Sequence, residues 1–309
     1  MKKILIFGAG SIGNHMTYAC RKQKLDTYIT DISSFALKRM KEKIYPKRYG
    51  FWDKNIKIVN FKDVFKIKQL FDLIIIGTPP KSHLELYYKC KKKLNFKKLL
   101  IEKPLTYKKD KNLKKFEKEK FNKKIFCGYN HSISESFIYF FSLLKKKKFK
   151  LKNIDVNWRE DWSGILNAHF WLKSEFNSYL GQSKYGGGSL QEHSHGLQLM
   201  NLILKEYGVN LKSEKFYSKS LEVKNKNKTY DCYTSIYGIS KKIFYNYQTD
   251  LLTSPQDKSV KVSNGKDQIH LIFNYKSNVD SVIYYRNKLK LIQKNFKKTR
   301  SSEFEKEIK

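Results

Sequence analysis

The segment Ile4-Leu5-Ile6-Phe7-Gly8-Ala9-Gly10-Ser11-Ile12-Gly13 constrains this chain more than any other. A short apolar run breaks into glycines spaced G-x-G-x-x-G, and apolar residues then recur at Ile12, Met16, Ala19 and Cys20 with helical period. The pattern predicts a buried strand, a tight turn and a helix whose first N–H groups form a phosphate cradle. Gly8 permits the turn, Gly10 lets backbone approach phosphate, and Gly13 lets the helix pack on the strand. Ser11 and Ile12 then supply the leading helical N–H groups.

Three glycines near a strand also occur in loops that bind nothing, so the downstream text decides. A second apolar stretch, Thr27-Tyr28-Ile29-Thr30, ends at Asp31. An acid at the end of the second strand is where the ribose hydroxyls of an adenine dinucleotide are gripped. The competing reading of Asp31 is a turn aspartate before a helix, with Ser33 and Ser34 as rival caps. Strand, glycines, helix, strand and acid in this order favour a dinucleotide. Asp31 favours NAD, since a carboxylate repels a 2′-phosphate, while Lys38 and Arg39 shortly afterwards leave NADP open.

With 309 residues the chain is long enough for two domains, each with a core. The apolar run after Met1-Lys2-Lys3 is too short for a secretory signal. No stretch approaches the roughly 20 apolar residues of a membrane helix, so a cytoplasmic protein without membrane partner is expected. Cys20, Cys90, Cys127 and Cys232 lack metal-like spacing, and reduced thiols with no metal site are expected. The net charge of +36 raises the question of a polyanion partner. Its source is almost entirely lysine spread along the chain, alongside abundant asparagine, isoleucine and tyrosine, as biased codon usage would produce. Specific nucleic-acid readers rely on arginine, which is scarce here, so no specific nucleic acid is expected.

From residue 1 to about 124, strand-like blocks (3–7, 27–31, 56–59, 72–77, 98–102, 124–128) alternate with helix-like ones (11–23, 34–44, 62–69, 82–93, 109–121). Runs such as Leu73-Ile74-Ile75-Ile76 are apolar throughout, as parallel strands covered on both faces must be. An α/β fold with a doubly wound parallel sheet follows. After about residue 150 come an irregular aromatic stretch, then Gly186-Gly187-Gly188 leading into a helix to about Lys205. Strand-like segments at 214–223, 230–238, 241–250 and 268–285 complete the chain. They predict a second, α+β domain on a largely antiparallel sheet, spanning 125–309 against 1–124 for the first.

Strand 72–76 ends in Gly77-Thr78-Pro79-Pro80 with His83 beyond, and strand 98–101 ends in Glu102-Lys103-Pro104. Ligands of an open parallel sheet lie beyond its carboxyl edge, so these loops should border the crevice of the glycines. A lysine fixed there can exchange a proton with a substrate oxygen. A surface lysine in a lysine-rich chain is the plain alternative.

GAGSIG, the acid, IIIGTPPKSH, LLIEKPLT and IFCGYNH, in this order, resemble the glucose–fructose oxidoreductase, inositol dehydrogenase and MocA (Gfo/Idh/MocA) family. Gly186 to His195 is similar to that family's G-G-G-x-L-x-D-x-x-H motif, and the resemblance runs to about residue 290. It implies a Rossmann domain and an NAD(P)-dependent dehydrogenase or reductase acting on a CH–OH group of a sugar, sugar nucleotide or cyclitol. Lys103 falls on the family's catalytic lysine. Glu102 would orient the cofactor ribose, and Thr78, Pro79 and His83 would line the path to the nicotinamide. Asn130 would face nicotinamide or substrate, and His195 would bind or relay a substrate proton. The family's usual aspartate before that histidine is missing; Gln191 and Glu192 lie four and three residues ahead of His195. Both spacings share a helix face, and only glutamate takes up a proton, which makes Glu192 the partner and Gln191 a substrate hydrogen-bonder.

The aromatic residues Trp158, Trp162, Phe170, Trp171 and Tyr179 resemble members linked to surface-polysaccharide sugars, with ordinary packing as the alternative. Members often associate through the second domain's sheet, which implies a homo-oligomer. The chain stops at Glu303 to Lys309, resembling the first turns of a terminal helix that members usually continue, so weakened domain packing is expected. A non-catalytic dinucleotide-binding or sensor protein is the competing class.

Overall fold

The computed structural model describes residues 1–119, 124–299 and 301–309. Their contacts divide the chain into two units: Met1–Gly128 with Lys184–Gly186 and Ser301–Lys309, and Tyr129–Ser183 with Gly187–Arg300.

The first unit runs β1 (Lys3–Phe7), α1 (Ser11–Lys22), β2 (Asp26–Thr30), α2 (Ser34–Arg39), α3 (Tyr45–Tyr49), β3 (Lys57–Ile58), β4 (Leu70–Ile76), α4 (His83–Lys93), β5 (Asn95–Glu102), α5 (Leu113–Glu117) and β6 (Ile125–Gly128). The strands pair in the order β3-β2-β1-β4-β5-β6, all parallel, which is the doubly wound Rossmann arrangement. Alternate residues feed two cores. Ile4, Ile6 and Ile75 pack with Met16, Ala19 and Cys20 of α1, whereas Leu5, Phe7, Ile74 and Ile76 pack with Leu84, Tyr87 and Cys90 of α4. Covering on both faces is why these strands read as unbroken apolar runs.

Local chemistry moves some boundaries. The helix expected at 34–44 starts where the Ser33 hydroxyl accepts from Ala36 N–H, passes through a π turn at Met40–Ile44, and continues as α3 to Gly50. Pro46 does not end it, because it sits in the first turn of α3, where no N–H is needed. The helix expected at 62–69 is only a 3-10 turn, Val64–Lys66, since Ile67 is already extended towards β4. Of the helix expected at 109–121, α5 covers Leu113–Glu117, and positions 120 and 121 lie outside the described residues.

The second unit contains α6 (Glu135–Lys146), β7 (Asn153–Arg159), α7 (Trp162–Ala168), α8 (Ser189–Glu192), α9 (Ser194–Glu206) and β8 to β14. These strands are β8 (Tyr217–Asn225), β9 (Lys228–Ser240), β10 (Ile243–Asp250), β11 (Asp257–Ser263), β12 (Asp267–Lys276), β13 (Val279–Arg286) and β14 (Leu289–Lys297). They order as β14-β13-β12-β11-β7-β10-β9-β8, antiparallel except for the β7–β10 pair. One face packs on Phe137, Phe140 and Leu144 of α6 and Leu199, Met200 and Ile203 of α9. The other face leaves Tyr217, Leu221, Ile239 and Leu291 exposed.

No element is expected from the sequence over α6, although Ser134 caps it and Phe137, Phe140 and Leu144 recur at helical spacing. The strand β7 is likewise unexpected, and its alternating Ile154, Val156 and Trp158 fill the centre of the sheet. Finally, α10 (Ser302–Glu307) belongs to the first unit. Phe304 stacks on His15 with ring centroids 5.1 Å apart, Glu305 bonds Lys22 at 2.8 Å, and Ile308 joins the α1 core. This segment packs on α1 through Phe304, Glu305 and Ile308.

Candidate active site

Within the first unit, the glycine turn is fixed by its neighbours. Gly8 N–H donates to the Thr30 carbonyl at 2.8 Å, and Ala9 N–H donates to Asp31 Oδ2 at 2.7 Å. Asp31 Oδ1 also accepts Ser33 N–H at 2.8 Å, so one carboxylate ties the glycine turn to the start of α2. The two readings of Asp31 are thus combined: it is a turn aspartate placed at the end of β2. A carboxylate has about four acceptor sites, so two backbone donors leave capacity for ribose hydroxyls.

Glycine is required here for two different reasons. A Cβ at Gly13 would stand 1.8 Å from the Gly8 carbonyl, and Gly8 itself has φ +106° with Gly77 O pressed against it. At Gly10 a Cβ would meet nothing within 4 Å. The first two positions close the turn; the third opens onto space at the α1 N-terminus, where Ser11 and Ile12 present their N–H groups. A pyrophosphate fits that geometry.

After β4 and Gly77, the Thr78 N–H lies beside Gly8, and Pro79 follows in the chain. His83 is fully enclosed. It is 0% exposed, and its Nε2 faces the Thr78 carbonyl at 2.6 Å while Nδ1 faces the Pro104 carbonyl at 3.0 Å. Burial pulls its pKa down, and the backbone carbonyls push it back up. Its ring ties the loop after β4 to the loop after β5, the two loops that border the glycine turn's sheet edge. Lys103, half-buried, sits in the second of these loops, before a cis peptide to Pro104.

Glu102 ends β5 and is 5% exposed, with its carboxylate against Gly128. Burial pushes its pKa up to about 7, against the opposing pull of Lys103. Its Oε1 is a buried acceptor with no hydrogen-bond donor among the described residues. That open acceptor suits a hydroxyl-bearing ligand such as a ribose.

In the second unit, Asn130 lies in the 3-10 turn after β6, buried, with Oδ1 likewise lacking a donor among the described residues. Gln191 and Glu192 are on α8 and His195 is on α9. The expected single helix is interrupted at His193 (φ −96°, ψ 16°), which divides it into α8 and α9. His193 is buried, and its carbonyl accepts the Tyr247 hydroxyl at 2.8 Å.

His195 has company that the sequence did not announce. Its ring lies edge to face with His131 at 4.6 Å, Tyr129 at 5.7 Å and tilted to Trp158 at 6.0 Å. His131 and Tyr129 belong to the Gly-Tyr-Asn-His motif, so their nearness was signalled only by the motif's position after β6. Trp158 is a core residue, 2% exposed. The segment carrying these residues is gripped from the sheet: Asp231 Oδ2 accepts Ser189 Oγ at 2.7 Å and Leu190 N–H at 2.8 Å, and Thr249 Oγ1 donates to Ser189 O at 3.2 Å. Among the described residues no cluster of His, Cys, Asp and Glu has the form of a metal site, and no helix is long and apolar enough to cross a membrane.

The fold and the cradle together define an NAD-binding Rossmann protein. Residues 2–129 match the model of the Gfo/Idh/MocA oxidoreductase family, described as having an NAD-binding Rossmann fold. No curated protein sequence matches the chain. Among solved structures, the WlbA dehydrogenase of Chromobacterium violaceum, in complex with NADH and UDP-GlcNAcA, is similar over 99% of this chain and 81% of that one, at 14% identity and TM-score 0.67. UDP-N-acetylglucosamine 3-dehydrogenase GnnA of Acidithiobacillus ferrooxidans is similar over 99% and 86%, at 10% identity and TM-score 0.65. For myo-inositol 2-dehydrogenase of Lactobacillus plantarum the figures are 99% and 87%, 12% identity and TM-score 0.66. At these identities the likeness is one of fold.

Proposed function

We propose that this protein is an NAD-dependent oxidoreductase that moves a hydride to or from a hydroxyl or keto carbon of a sugar, sugar nucleotide or cyclitol. The observation that carries the reading is Glu102-Lys103-Pro104 at the carboxyl end of β5, in the same unit and at the same sheet edge as the glycine cradle. The nicotinamide, when bound, supplies the hydride acceptor or donor. Ser11 and Ile12 N–H groups hold the pyrophosphate, Asp31 takes adenosine ribose hydroxyls, and Glu102 takes those of the nicotinamide ribose. Thr78 and Pro79 border the path between them. Lys103 gives or takes the proton of the substrate oxygen.

His195, set by its ring neighbours, assists at the substrate, with Glu192 as its proton partner and Gln191 and Asn130 as hydrogen-bonders. Solved structures of this fold include dehydrogenases of sugar nucleotides, which supports the substrate class and a link to surface-polysaccharide sugars. Residues 1–124 would then serve the cofactor and 125–309 the substrate. The exposed apolar face of the second sheet supports a homo-oligomer, and the chemistry suits the cytoplasm.

A screen of sugars, cyclitols and anionic sugar nucleotides with NAD and NADP, read at the reduced-nicotinamide absorbance, tests the reading. Lys103→Ala is expected to lower turnover by about 10²–10⁴-fold while NADH still binds. Unchanged turnover removes Lys103 from the mechanism. NADH binding without turnover on any substrate would favour the sensor reading.

A further inference from the structure

We propose that Arg48 is part of the dinucleotide site, where it fixes Ser11 and lends its charge to the pyrophosphate. The inference rests on the dinucleotide reading above. Arg48 is one of only six arginines among 64 basic residues, so it is not explained by the lysine excess.

Its placement is built by α3. The Tyr49 ring stacks on Tyr18 of α1 with centroids 3.7 Å apart, and its hydroxyl bonds Nδ1 of His15. Tyr45 packs edge-on to both Tyr18 and Tyr49. These contacts hold α3 along the flank of α1. Arg48, half-buried, reaches from there to the first turn of α1. Its Nη1 donates to the Ser11 carbonyl at 3.1 Å and its Nη2 to the Ser11 hydroxyl at 3.0 Å.

Two consequences follow from that geometry. A Ser11 hydroxyl that accepts from the guanidinium keeps its own hydrogen for an acceptor, and a phosphate oxygen is the acceptor this turn is shaped for. The guanidinium also places a permanent positive charge beside the α1 N-terminus, adding to the helix dipole where the pyrophosphate sits. Lysine at this position would keep the charge and lose the two-point grip.

The test uses ADP-ribose, NADH and adenosine as probes of the intact protein and of Arg48→Met, Arg48→Lys and Ser11→Ala. Arg48→Met is expected to weaken ADP-ribose and NADH by about tenfold at low salt and to leave adenosine unchanged. Arg48→Lys should recover part of that loss, and Ser11→Ala should cost less than Arg48→Met. The gap between wild type and Arg48→Met should narrow as salt rises. Wild-type affinity of Arg48→Met for ADP-ribose overturns the proposal, and so does an equal loss for adenosine, which marks a merely structural arginine. A wild-type protein that binds neither ADP-ribose nor NADH overturns the dinucleotide reading itself.

Discussion

Two glycine turns lead into helices in this chain, and they are built for opposite purposes. Ahead of α1, a Cβ on Gly10 would project into open space. Ahead of α8, a Cβ on Gly188 would stand 2.0 Å from Asp231 Oδ1, and Gly187 is pressed by the Tyr179 and Leu180 carbonyls at 2.1 and 2.2 Å. The first helix presents its N-terminal donors outward. The second has its donors filled by a carboxylate of its own sheet, since Asp231 accepts Leu190 N–H and Ser189 Oγ. A glycine run before a helix therefore says nothing about ligands until the chain's own groups around it are known. The same contrast separates two carboxylates: Asp231 is supplied with donors by the protein, while Glu102 Oε1 has none among the described residues.

The sharpest way to break the comparison is to fill each turn. Gly10→Asp puts a carboxylate where a phosphate belongs, on a Cβ that meets no protein atom within 4 Å, so NADH affinity should fall by about 100-fold or more with little change in melting temperature. A large loss of stability would show that Gly10 is a packing glycine like Gly188. Gly188→Ala should do the reverse. With φ at +97° and Asp231 in the way, it should lose roughly 3 kcal/mol of stability or more, while the folded protein binds NADH normally.

The difference between the turns also sorts what was legible in the sequence. The first unit follows from its text because all neighbouring strands but β1 and β4 are joined by local crossovers and both faces are apolar, so the carboxyl-edge loops come together. The tie that His83 makes between two loops was not legible, because its partners, the Thr78 and Pro104 carbonyls, are backbone atoms that no side-chain pattern reveals. In the second unit, β7 pairs with β10 and β11, roughly ninety and a hundred residues on. Asp231 and the His131–His195 contact depend on that long-range pairing. The break at His193 was hidden because both halves, α8 and α9, have helical composition.

Asp231→Asn offers a milder probe of the filled turn. It keeps the shape but weakens the bonds to Ser189 and Leu190, and one amide hydrogen now faces a donor. A stability loss of about 1–3 kcal/mol is expected in chemical denaturation, with NADH affinity unchanged. A loss confined to NADH binding would place Asp231 in the cofactor site and erase the distinction between the two helices.

The smallest effect belongs to the carboxylate with the open acceptor. Burial raises the Glu102 pKa to about 7, and Glu307 beside it is raised as well by burial and by repulsion from Glu102 and Glu303. An acid whose folded pKa lies above its unfolded value binds an extra proton in the native state. Its full stability is present below the unfolded carboxylate range, near pH 4, and is lost as pH rises through about 7. The ligand-free protein should accordingly lose about 1–2 kcal/mol between pH 5 and 8 from this group. Glu102→Gln should flatten that slope, with Glu307 still contributing the remainder. Saturating NADH should flatten it in the wild type too, because ribose hydroxyls would donate to the ionised carboxylate. A slope that survives both changes would mean that Glu102 is as well supplied by the protein as Asp231.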